Sequence, residues 1–231
     1  RQENQEHLRQ RVLETKADIG LAFDGDADRV FLLDEKGQSI SGSLTTALIA
    51  DQILREKSDE SVIYNLICSK VVPEVILERG GIGIRSRVGH SFIKELMEKH
   101  DAVFAGEHSG HYYFRENYRA DSGVMASLVV LRALSQYQGK LSEMLEPFER
   151  YESSGELNFS VTDVRASIEK IEEHYKTSIV DRLDGLTVDV GDWWFNLRPS
   201  NTEPLLRLNI EANNKKVCAQ AIEEVRTLLT Q

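Results

Sequence analysis

Residues 19–33 read IGLAFDGDADRVFLL, in which the acidic hexapeptide DGDADR separates two short apolar runs. The runs Ile19–Phe23 and Val30–Asp34 have the length and composition of buried strands, so the hexapeptide is predicted to be the turn between them. From this turn to about residue 136, strand signals alternate with amphipathic helix signals. That alternation indicates βαβ units around a largely parallel sheet, which is an α/β fold. The further predicted strands are Val62–Cys68, Gly83–Arg87 and Ala102–Ala105, and the predicted helices are Thr45–Glu56, Val71–Glu78, Ser91–Lys99 and Ser122–Ser135.

A second module is predicted to follow a polar connector at residues 139–156. Its strand and helix signals indicate a smaller, compact α+β domain. In residues 206–211, apolar and polar side chains alternate, which predicts a sheet with one face in water. The predicted strands are Glu156–Val161, Leu186–Val190, Trp193–Leu197 and Leu205–Ile210, and the predicted helices are Val164–Tyr175 and Lys215–Leu229.

The composition is that of an ordinary globular protein, with 29% charged and 41% hydrophobic residues among 231. The formal net charge of −10 argues against a nucleic-acid surface, and no apolar stretch approaches membrane-spanning length. Cys68 and Cys218 lie far apart without metal-type spacing, so free thiols in a reducing cytoplasm are expected. The polar, helix-like opening segment, residues 1–16, indicates an entry into the middle of a larger protein.

The three aspartates of the hexapeptide, Asp24, Asp26 and Asp28, are candidate metal ligands. Three like charges this close repel one another, and a divalent cation is the usual compensation. Oxygen donors alone suit a hard ion such as Mg²⁺. Gly25 and Ala27 are small enough to let the backbone curl until the carboxylates converge. A solvated acidic turn is the alternative, because a DxDxD pattern alone is weakly specific.

Two further polar clusters follow predicted strands, at the carboxyl ends where open parallel sheets bind ligands. The first is VGHS at residues 88–91. It places His90 and Ser91 at the start of a helix, which favours contact with an anion.

The second of these clusters is GEHSGH at residues 106–111. Glu107, Ser109 and His111 alternate, so an extended segment would direct their side chains to one side. A carboxylate, a hydroxyl and an imidazole together suit the hydroxyls of a sugar. A zinc site made by His108 and His111 with Glu107 is the alternative.

The last cluster, RPSNTEP at residues 198–204, lies between two predicted strands of the second module. Its arginine supplies a bidentate fork for phosphate, while two hydroxyls, an amide and loop N–H groups satisfy the other oxygens. Two prolines stiffen the loop, so less entropy is lost on binding. A polar β-turn is the alternative. The candidate phosphate ligands are Arg198, Ser200, Asn201 and Thr202.

Taken in order, DGDADR, GHS, GEHSGH and RPSNTEP resemble the motifs of the α-D-phosphohexomutase superfamily. GEHSGH followed by YYF at residues 112–114 resembles its phosphomannomutase branch. Members have four domains. The resemblance implies that residues 1–38 are the C-terminal part of the second domain, residues 39–150 the third and residues 151–231 the fourth.

The resemblance implies a Mg²⁺-dependent enzyme that interconverts mannose 1-phosphate and mannose 6-phosphate through a hexose 1,6-bisphosphate, with glucose phosphates as further candidate substrates. Arg29 would lie near the reacting phosphate, and His90 would transfer a proton or contact phosphate. By the same resemblance, Mg²⁺ would be bound by Asp24, Asp26 and Asp28, the sugar hydroxyls by Glu107, Ser109 and His111, and the phosphate that is not transferred by Arg198, Ser200, Asn201 and Thr202.

Two departures from the family pattern limit what this chain is expected to do. The family's catalytic serine lies in a Thr-Ala-Ser-His-Asn-Pro type loop of the first domain, and no segment of these 231 residues matches it. We therefore expect the chain alone to be inactive and to need the N-terminal half of the same polypeptide. Ile67 also stands where many members have a lysine, and Arg87 is a candidate replacement. Two other hypotheses stay open: a sugar-phosphate binding module without catalysis, and a zinc hydrolase that uses His108 and His111.

Overall fold

A computed structural model describes residues 5–200 and 205–230 of the chain. The chain divides into two compact units, one ending at Glu149 and the other beginning at Arg150. Among the described residues, none of the helices combines the length and the apolar character that crossing a bilayer requires.

The first unit begins with helix α1 (Glu6–Thr15) and a small antiparallel sheet. Its strands are β1 (Ile19–Phe23), β2 (Val30–Asp34) and β3 (Ser39–Ile40), in the order β1-β2-β3. Phe23 pairs with Val30, so the acidic hexapeptide closes the β1–β2 hairpin, as the apolar runs on either side predicted.

The second sheet of this unit has the strand order β5-β4-β6-β7-β8. β4 pairs in parallel with both β5 and β6, which confirms the α/β prediction for this half of the sheet. Two antiparallel strands, which were not predicted, extend it at the β6 side. The strands are β4 (Ser61–Asn65), β5 (Ile82–Ser86), β6 (Phe104–Gly106), β7 (Tyr112–Phe114) and β8 (Ala120–Asp121), and the helices are α2 (Gly42–Glu56), α3 (Val71–Glu78), α4 (His90–Lys99) and α5 (Gly123–Gln136).

The segment expected to be a polar connector is in part a helical cap on the first unit. It contains helix α6 (Leu141–Leu145) and a 3₁₀ turn (Glu146–Phe148), and its Leu141 and Leu145 are buried. The hydroxyl of Ser142 donates to Oε1 of Glu35 at 2.7 Å, and its backbone N–H donates to Oε2 at 3.2 Å. The apolar side chains and this double contact fasten the segment beside the β2–β3 turn. The prediction failed because Gly, Pro and charged residues outnumber the leucines locally.

The second unit is an antiparallel five-stranded sheet with the order β10-β11-β12-β13-β9. Helices α7 and α8 bury one face, where their apolar residues join those of the strands in one core. This is the smaller α+β domain that was predicted. The strands are β9 (Glu152–Ser160), β10 (Ile179–Asp181), β11 (Leu186–Asp189), β12 (Trp193–Pro199) and β13 (Leu205–Ala212), and the helices are α7 (Val164–His174) and α8 (Lys215–Thr230).

The other face of this sheet is polar but only partly exposed to water, so the prediction of a water-exposed face held only in part: Asn158 in β9, the cross-strand partner of Arg207, is exposed, whereas other polar residues of β13 are buried. Asn209 is 8% exposed and Glu211 is 5% exposed. The indole of Trp194 donates to Oε1 of Glu211 at 2.9 Å, and the amide of Asn196 donates to the carbonyl of Asp184 at 3.0 Å. Cross-strand partners of this kind let polar side chains be buried at low cost.

Candidate functional site

The acidic hexapeptide is held in a tight curl by backbone contacts. Ala27 adopts a left-handed conformation with φ of 59°, and its N–H donates to the carbonyl of Asp24 at 3.3 Å. The carbonyl of Ala27 accepts the N–H of Gly123, the first residue of α5, at 3.0 Å. A Cβ atom at Gly123 would lie 2.5 Å from the carbonyl oxygen of Arg29, so only glycine allows this approach.

The curl brings the three predicted metal ligands together. Carboxylate oxygens of Asp24, Asp26 and Asp28 lie within 4.8 Å of one another. Oδ1 of Asp28 is buried and has no hydrogen-bond partner among the described residues. Three convergent carboxylates with one unsatisfied oxygen fit a hard divalent cation such as Mg²⁺.

Arg29 folds back onto the same loop. Its Nε donates to Oδ2 of Asp24 at 2.7 Å, and its backbone N–H donates to Oδ1 at 3.1 Å. Burial alone would raise the pKa of Asp24, but the hydrogen bonds from Arg29 outweigh it and lower the pKa. Burial and the neighbouring Asp24 raise the pKa of Asp28, against the attraction of His111. A further positive charge beside Asp28 would therefore offset the repulsion from Asp24.

The GEHSGH segment is a turn, so the expected extended arrangement of its side chains does not occur. The N–H of Glu107 donates to the carbonyl of His111 at 3.0 Å, and that of Gly110 donates to the carbonyl of Glu107 at 3.1 Å. Gly110 has φ of 91°, in the left-handed region. Alternation therefore does not align the three side chains: Ser109 is exposed, His111 is half-buried and Glu107 is buried.

Glu107 is the centre of a buried hydrogen-bond network. Tyr113 donates its hydroxyl to Oε1 at 2.7 Å, and Asn65 donates its amide to Oε2 at 3.1 Å. The N–H of Gly89, just before α4, also points at Oε2, at 3.4 Å. Burial of the phenol raises the pKa of Tyr113, and the neighbouring carboxylate raises it further. Glu107 thus links β4, β7 and the start of α4 through hydrogen bonds. Its contact with sugar hydroxyls stays a prediction.

His111 joins the GEHSGH segment to the acidic hexapeptide. It forms a β-bridge with Arg29, and the N–H of Val30 donates to the carbonyl of Gly110 at 3.3 Å. Nδ1 of His111 lies 3.8 Å from Oδ2 of Asp28. The two clusters therefore form one site within the first unit.

Asp121, at the end of β8, belongs to this site and was missed by the sequence analysis. Its Oδ2 lies 2.9 Å from Nδ1 of His111, and its Oδ1 lies 3.5 Å from Nζ of Lys94. Donor atoms of Asp28, His111 and Asp121 all lie within 4.8 Å of one another. One sequence signal could have identified Asp121: it directly precedes Ser122. Ser122 caps α5, because its hydroxyl accepts the N–H of Met125.

The zinc site of Glu107, His108 and His111 is not assembled. Nδ1 of His108 lies 2.9 Å from the hydroxyl of Ser43 in α2, whereas His111 faces Asp121. Glu107 is engaged by its own network. In the described part of the chain, His111 falls into a group of three possible ligands but His108 does not. His90, the other predicted histidine, is the exposed first residue of α4, one position after Gly89.

The predicted phosphate loop lies in the second unit, after β12. Arg198 is 9% exposed, and its Nη2 donates to Oε2 of Glu156 at 3.1 Å. The N–H of Ser200 donates to the carbonyl of Leu205 at 2.8 Å, which closes the base of the loop. Asn201 and Thr202, two of the predicted phosphate ligands, lie outside the described residues.

Two models of known protein families match the chain, one over most of each unit. The family model described as phosphoglucomutase/phosphomannomutase, alpha/beta/alpha domain III, matches residues 41–151. The model described as phosphoglucomutase/phosphomannomutase, C-terminal domain, matches residues 156–228. The chain belongs to the phosphoglucomutase/phosphomannomutase family.

Relatives within this family have names that describe isomerases of sugar phosphates. The phosphomannomutase of Methanocaldococcus jannaschii is 47% identical over 220 residues, which are 95% of this chain and 49% of the relative. The chain spans about half the length of the curated relatives it matches.

Two solved structures share the fold. A phosphoglucomutase/phosphomannomutase family protein from Burkholderia thailandensis superposes with a TM-score of 0.88 and 29% identity, over 99% of this chain and 50% of that one. An N-acetylphosphoglucosamine mutase from Aspergillus fumigatus, solved with GlcNAc-6P and magnesium, superposes with a TM-score of 0.68 and 15% identity, over 90% of this chain and 48% of that one.

Proposed function

We propose that this chain is the metal-binding, sugar-binding and phosphate-binding portion of a Mg²⁺-dependent phosphomannomutase. The enzyme would interconvert mannose 1-phosphate and mannose 6-phosphate through a hexose 1,6-bisphosphate, which also serves as activator. The observation that carries the proposal is the 3.8 Å approach of Asp28 to His111. It sets three convergent carboxylates beside the loop for which we predict contact with the sugar. The 47% identity to a phosphomannomutase supports mannose phosphates over other hexose phosphates.

Asp24, Asp26 and Asp28 would hold the Mg²⁺, which stabilises negative charge on phosphoryl oxygens when bound. Arg29 would orient the reacting phosphate. Its Nε is committed to Asp24, so the guanidinium is fixed by a charge-assisted hydrogen bond and keeps its terminal N–H groups for phosphate. A fixed guanidinium loses little entropy when the phosphate binds.

His111 would exchange a proton with the sugar hydroxyl that gains or loses phosphate. When Nδ1 donates to Asp121 at 2.9 Å, Nε2 is left as the acceptor of the neutral ring. The carboxylate of Asp121 also stabilises the imidazolium that forms when Nε2 takes the proton. His90 would contact phosphate at the N-terminus of α4, where the helix favours negative charge. Glu107 and Ser109 would complete the sugar site, Glu107 chiefly by holding the loops that form it.

The second unit would hold the phosphate that is not being transferred. Arg198 supplies a buried guanidinium, and Ser200, Asn201 and Thr202 would add hydroxyl and amide donors. A bisphosphate that turns around must present either phosphate to the same distal site. The distal site should therefore accept both 1-phosphate and 6-phosphate ends.

Turnover would require a phosphorylated serine from outside these 231 residues, supplied by the N-terminal half of the same polypeptide. We place the enzyme in the cytoplasm, since its two cysteines are buried and free. No nucleic acid or membrane is needed for the proposed reaction.

The test is a ³¹P NMR assay of a polypeptide that includes the preceding domains, with mannose 1-phosphate, Mg²⁺ and a catalytic amount of bisphosphate. We expect mannose 6-phosphate to accumulate, and Asp26→Asn to remove the activity. A longer protein that binds hexose phosphates but never interconverts them would favour a binding module instead. Faster turnover of glucose 1-phosphate would contradict the mannose assignment alone.

A further inference from the structure

A cavity of about 280 Å³ opens in the first unit between α2, α5 and one end of the β6–β7 pair. The GEHSGH turn joins the opposite ends of β6 and β7, so this cavity is separate from the candidate site. The buried and half-buried part of its lining is apolar, and consists of Ile53, Val103, Phe114, Met125 and Val129. The cavity therefore has room for an apolar group of the size of an aromatic side chain.

The charged residues that line the opening of this cavity balance one another. Arg132 of α5 lies 2.8 Å from Glu56 of α2, and Lys57 lies 3.7 Å from Glu116. The opening thus has two positive and two negative side chains, although the whole chain has a formal net charge of −10. Two copies of an acidic protein can approach each other at such a neutral surface without the repulsion that their other faces would cause.

Apolar side chains beside the cavity are exposed to water. Leu128, which lines the cavity, is 59% exposed, and Val124, one turn earlier on α5, is 48% exposed. Residues four positions apart lie on the same face of a helix, so the two side chains form one apolar stripe. An exposed apolar stripe next to an open apolar cavity is typical of a surface that binds another protein.

Tyr118 projects from the same surface, at the tip of the β7–β8 hairpin. Its side chain is 94% exposed. It directly follows the 3₁₀ turn Arg115–Asn117, whose Glu116 lines the cavity. Tyr118 and Arg119 both adopt the left-handed conformation, with φ of 55° and 60°. Bulky residues adopt this conformation only where the surrounding structure imposes it, so the direction of the tyrosine is set by the hairpin.

Ion pairs and a backbone hydrogen bond hold the hairpin tip in place. Nη2 of Arg115 donates to Oε1 of Glu60 at 2.6 Å, and Nη2 of Arg119 lies 3.2 Å from Oδ1 of Asp101. The N–H of Arg119 donates to the carbonyl of Phe114 at 3.0 Å. A rigid support of this kind presents an aromatic ring at a low entropic cost, as the anchor residues of protein interfaces require.

We propose that this surface binds the same surface of a second copy of the chain, with Tyr118 of each copy inserted into the cavity of the other. In a two-fold dimer, a residue that projects from one copy meets a recess of its partner, and the reverse contact follows by symmetry. Here the projection and the recess are neighbours, because Glu116 lines the cavity two positions before Tyr118. One two-fold axis can therefore form both contacts. The ring would enter the apolar interior, while the hydroxyl stays near the charged side chains of the opening.

The first test is sedimentation equilibrium of the 231-residue chain and its variants, with circular dichroism to confirm that each variant is folded. We expect a reversible dimer, and Tyr118→Ser should raise its dissociation constant at least about tenfold, because the anchor of the interface is lost. Leu128→Arg, which adds charge to the apolar stripe, should weaken the dimer as well. Leu77→Ser is the matched control and should change nothing, since Leu77 is 76% exposed on α3, away from the cavity lining.

A second test identifies what lies in the cavity. When Tyr118→Cys and Leu128→Cys chains are mixed and oxidised, a disulfide between the two introduced thiols can only join different copies, and the native Cys68 and Cys218 are buried. We expect this mixture to give a cross-linked dimer, and a mixture of Tyr118→Cys with Leu77→Cys to give none.

Three results would overturn the inference. The first is a wild-type chain that stays monomeric at millimolar concentration, and the second is a dimer that Tyr118→Ser leaves unchanged. The third is a cross-link that forms in the 231-residue chain but not in a polypeptide that includes the preceding domains, because those domains would then be what covers the surface. None of these results bears on the proposed function, since the interface includes neither the acidic loop nor the predicted phosphate loop.

Discussion

The imidazole of His111 and the carboxylate of Asp121 form a direct pair, with Nδ1 and Oδ2 2.9 Å apart. The pair lies at the edge of the acidic loop, because Oδ2 of Asp28 is 3.8 Å from the same nitrogen. Lys94 fixes the other oxygen of Asp121 at 3.5 Å. If Nδ1 carries the proton and donates it to Asp121, Nε2 is the acceptor that the proposed proton transfer requires.

Replacing Asp121 should therefore damage turnover more than substrate binding. In the longer protein we expect Asp121→Asn to lower kcat about 10- to 100-fold with a small change in KM, because the amide no longer selects the tautomer or stabilises the imidazolium. Steady-state kinetics with mannose 1-phosphate measure this. Asp101→Asn, an exposed aspartate paired with Arg115, is the control. A rise in KM with unchanged kcat would mean that Asp121 acts in binding instead.

The strands around this site could be predicted where the local sequence alone is enough to fix them. Ile19–Phe23 and Val30–Asp34 have the predicted bounds, because an apolar run on each side of a charged turn leaves little freedom. β7 and β8, three and two residues long, are too short to give a periodic signal. The hairpin that they form brings Asp121 next to His111. The spacing of these residues in the sequence alone therefore could not predict the pair.

The same limit applies to the second unit. Leu205–Ile210 was recognised as a strand, but the exposure of its polar residues depends on partners from other strands. Arg207 faces Arg198 only because of the β12–β13 register. The sequence motifs thus identified the main residues of each site. Pairing between strands that are distant in the sequence determines which other residues lie beside them.

The acidic loop should be more stable without one of its charges when no cation is present. Burial and Asp24 raise the pKa of Asp28 above its unfolded value, so ionisation of Asp28 costs folding free energy as pH rises through that pKa. Asp28→Asn should raise the Tm of the first unit at pH 7 by roughly 1–2 °C, a small effect because the side chain is about one-third exposed. Thermal unfolding by circular dichroism at several pH values, in EDTA, is the measurement. The advantage should vanish below about pH 3, where the carboxyls are protonated in both states.

Mg²⁺ should bind this chain weakly, because the loop offers three carboxylates but no phosphoserine oxygen, and Mg²⁺ gives up its waters reluctantly. Calorimetric titration should give a dissociation constant in the millimolar range, and Asp26→Asn should abolish the heat. Tight binding that survives Asp26→Asn would place the metal elsewhere.

Glu107 should contribute to stability as well as to the proposed sugar site. Glu107→Ala leaves the Tyr113 hydroxyl and the Asn65 amide without their acceptor, so we expect a loss of about 1–3 kcal/mol in the free energy of unfolding. Ser109→Ala, on the exposed side of the same turn, should change it by less than about 0.5 kcal/mol. Urea unfolding followed by far-UV circular dichroism measures both. Equal effects of the two changes would contradict the network's structural role.

Arg198 should act on both substrates of the proposed reaction. In the longer protein, Arg198→Ala removes a charge-assisted contact to whichever phosphate occupies the distal site, at a cost of about 2–4 kcal/mol in binding. Binding of mannose 1-phosphate and mannose 6-phosphate should weaken alike, while the exposed Arg182→Ala leaves both unchanged. If only one of the two substrates were affected, a single shared distal site would be wrong.

The 231-residue chain by itself should fold and bind hexose phosphates weakly, yet fail to interconvert them. Each unit buries its own apolar core, so folding does not depend on further domains. Phosphoryl transfer, however, needs a nucleophile held in line with the sugar hydroxyl, and the site assembled around Asp28 and His111 offers carboxylates and an imidazole but no serine in the family's catalytic loop. His90 cannot replace it, because phosphate must be returned to a sugar that reorients between two fixed positions.

We expect ³¹P NMR to show no mannose 6-phosphate from mannose 1-phosphate, even with Mg²⁺ and bisphosphate. Turnover that persists in protein purified from a host lacking its own mutase would show that the nucleophile lies within this chain.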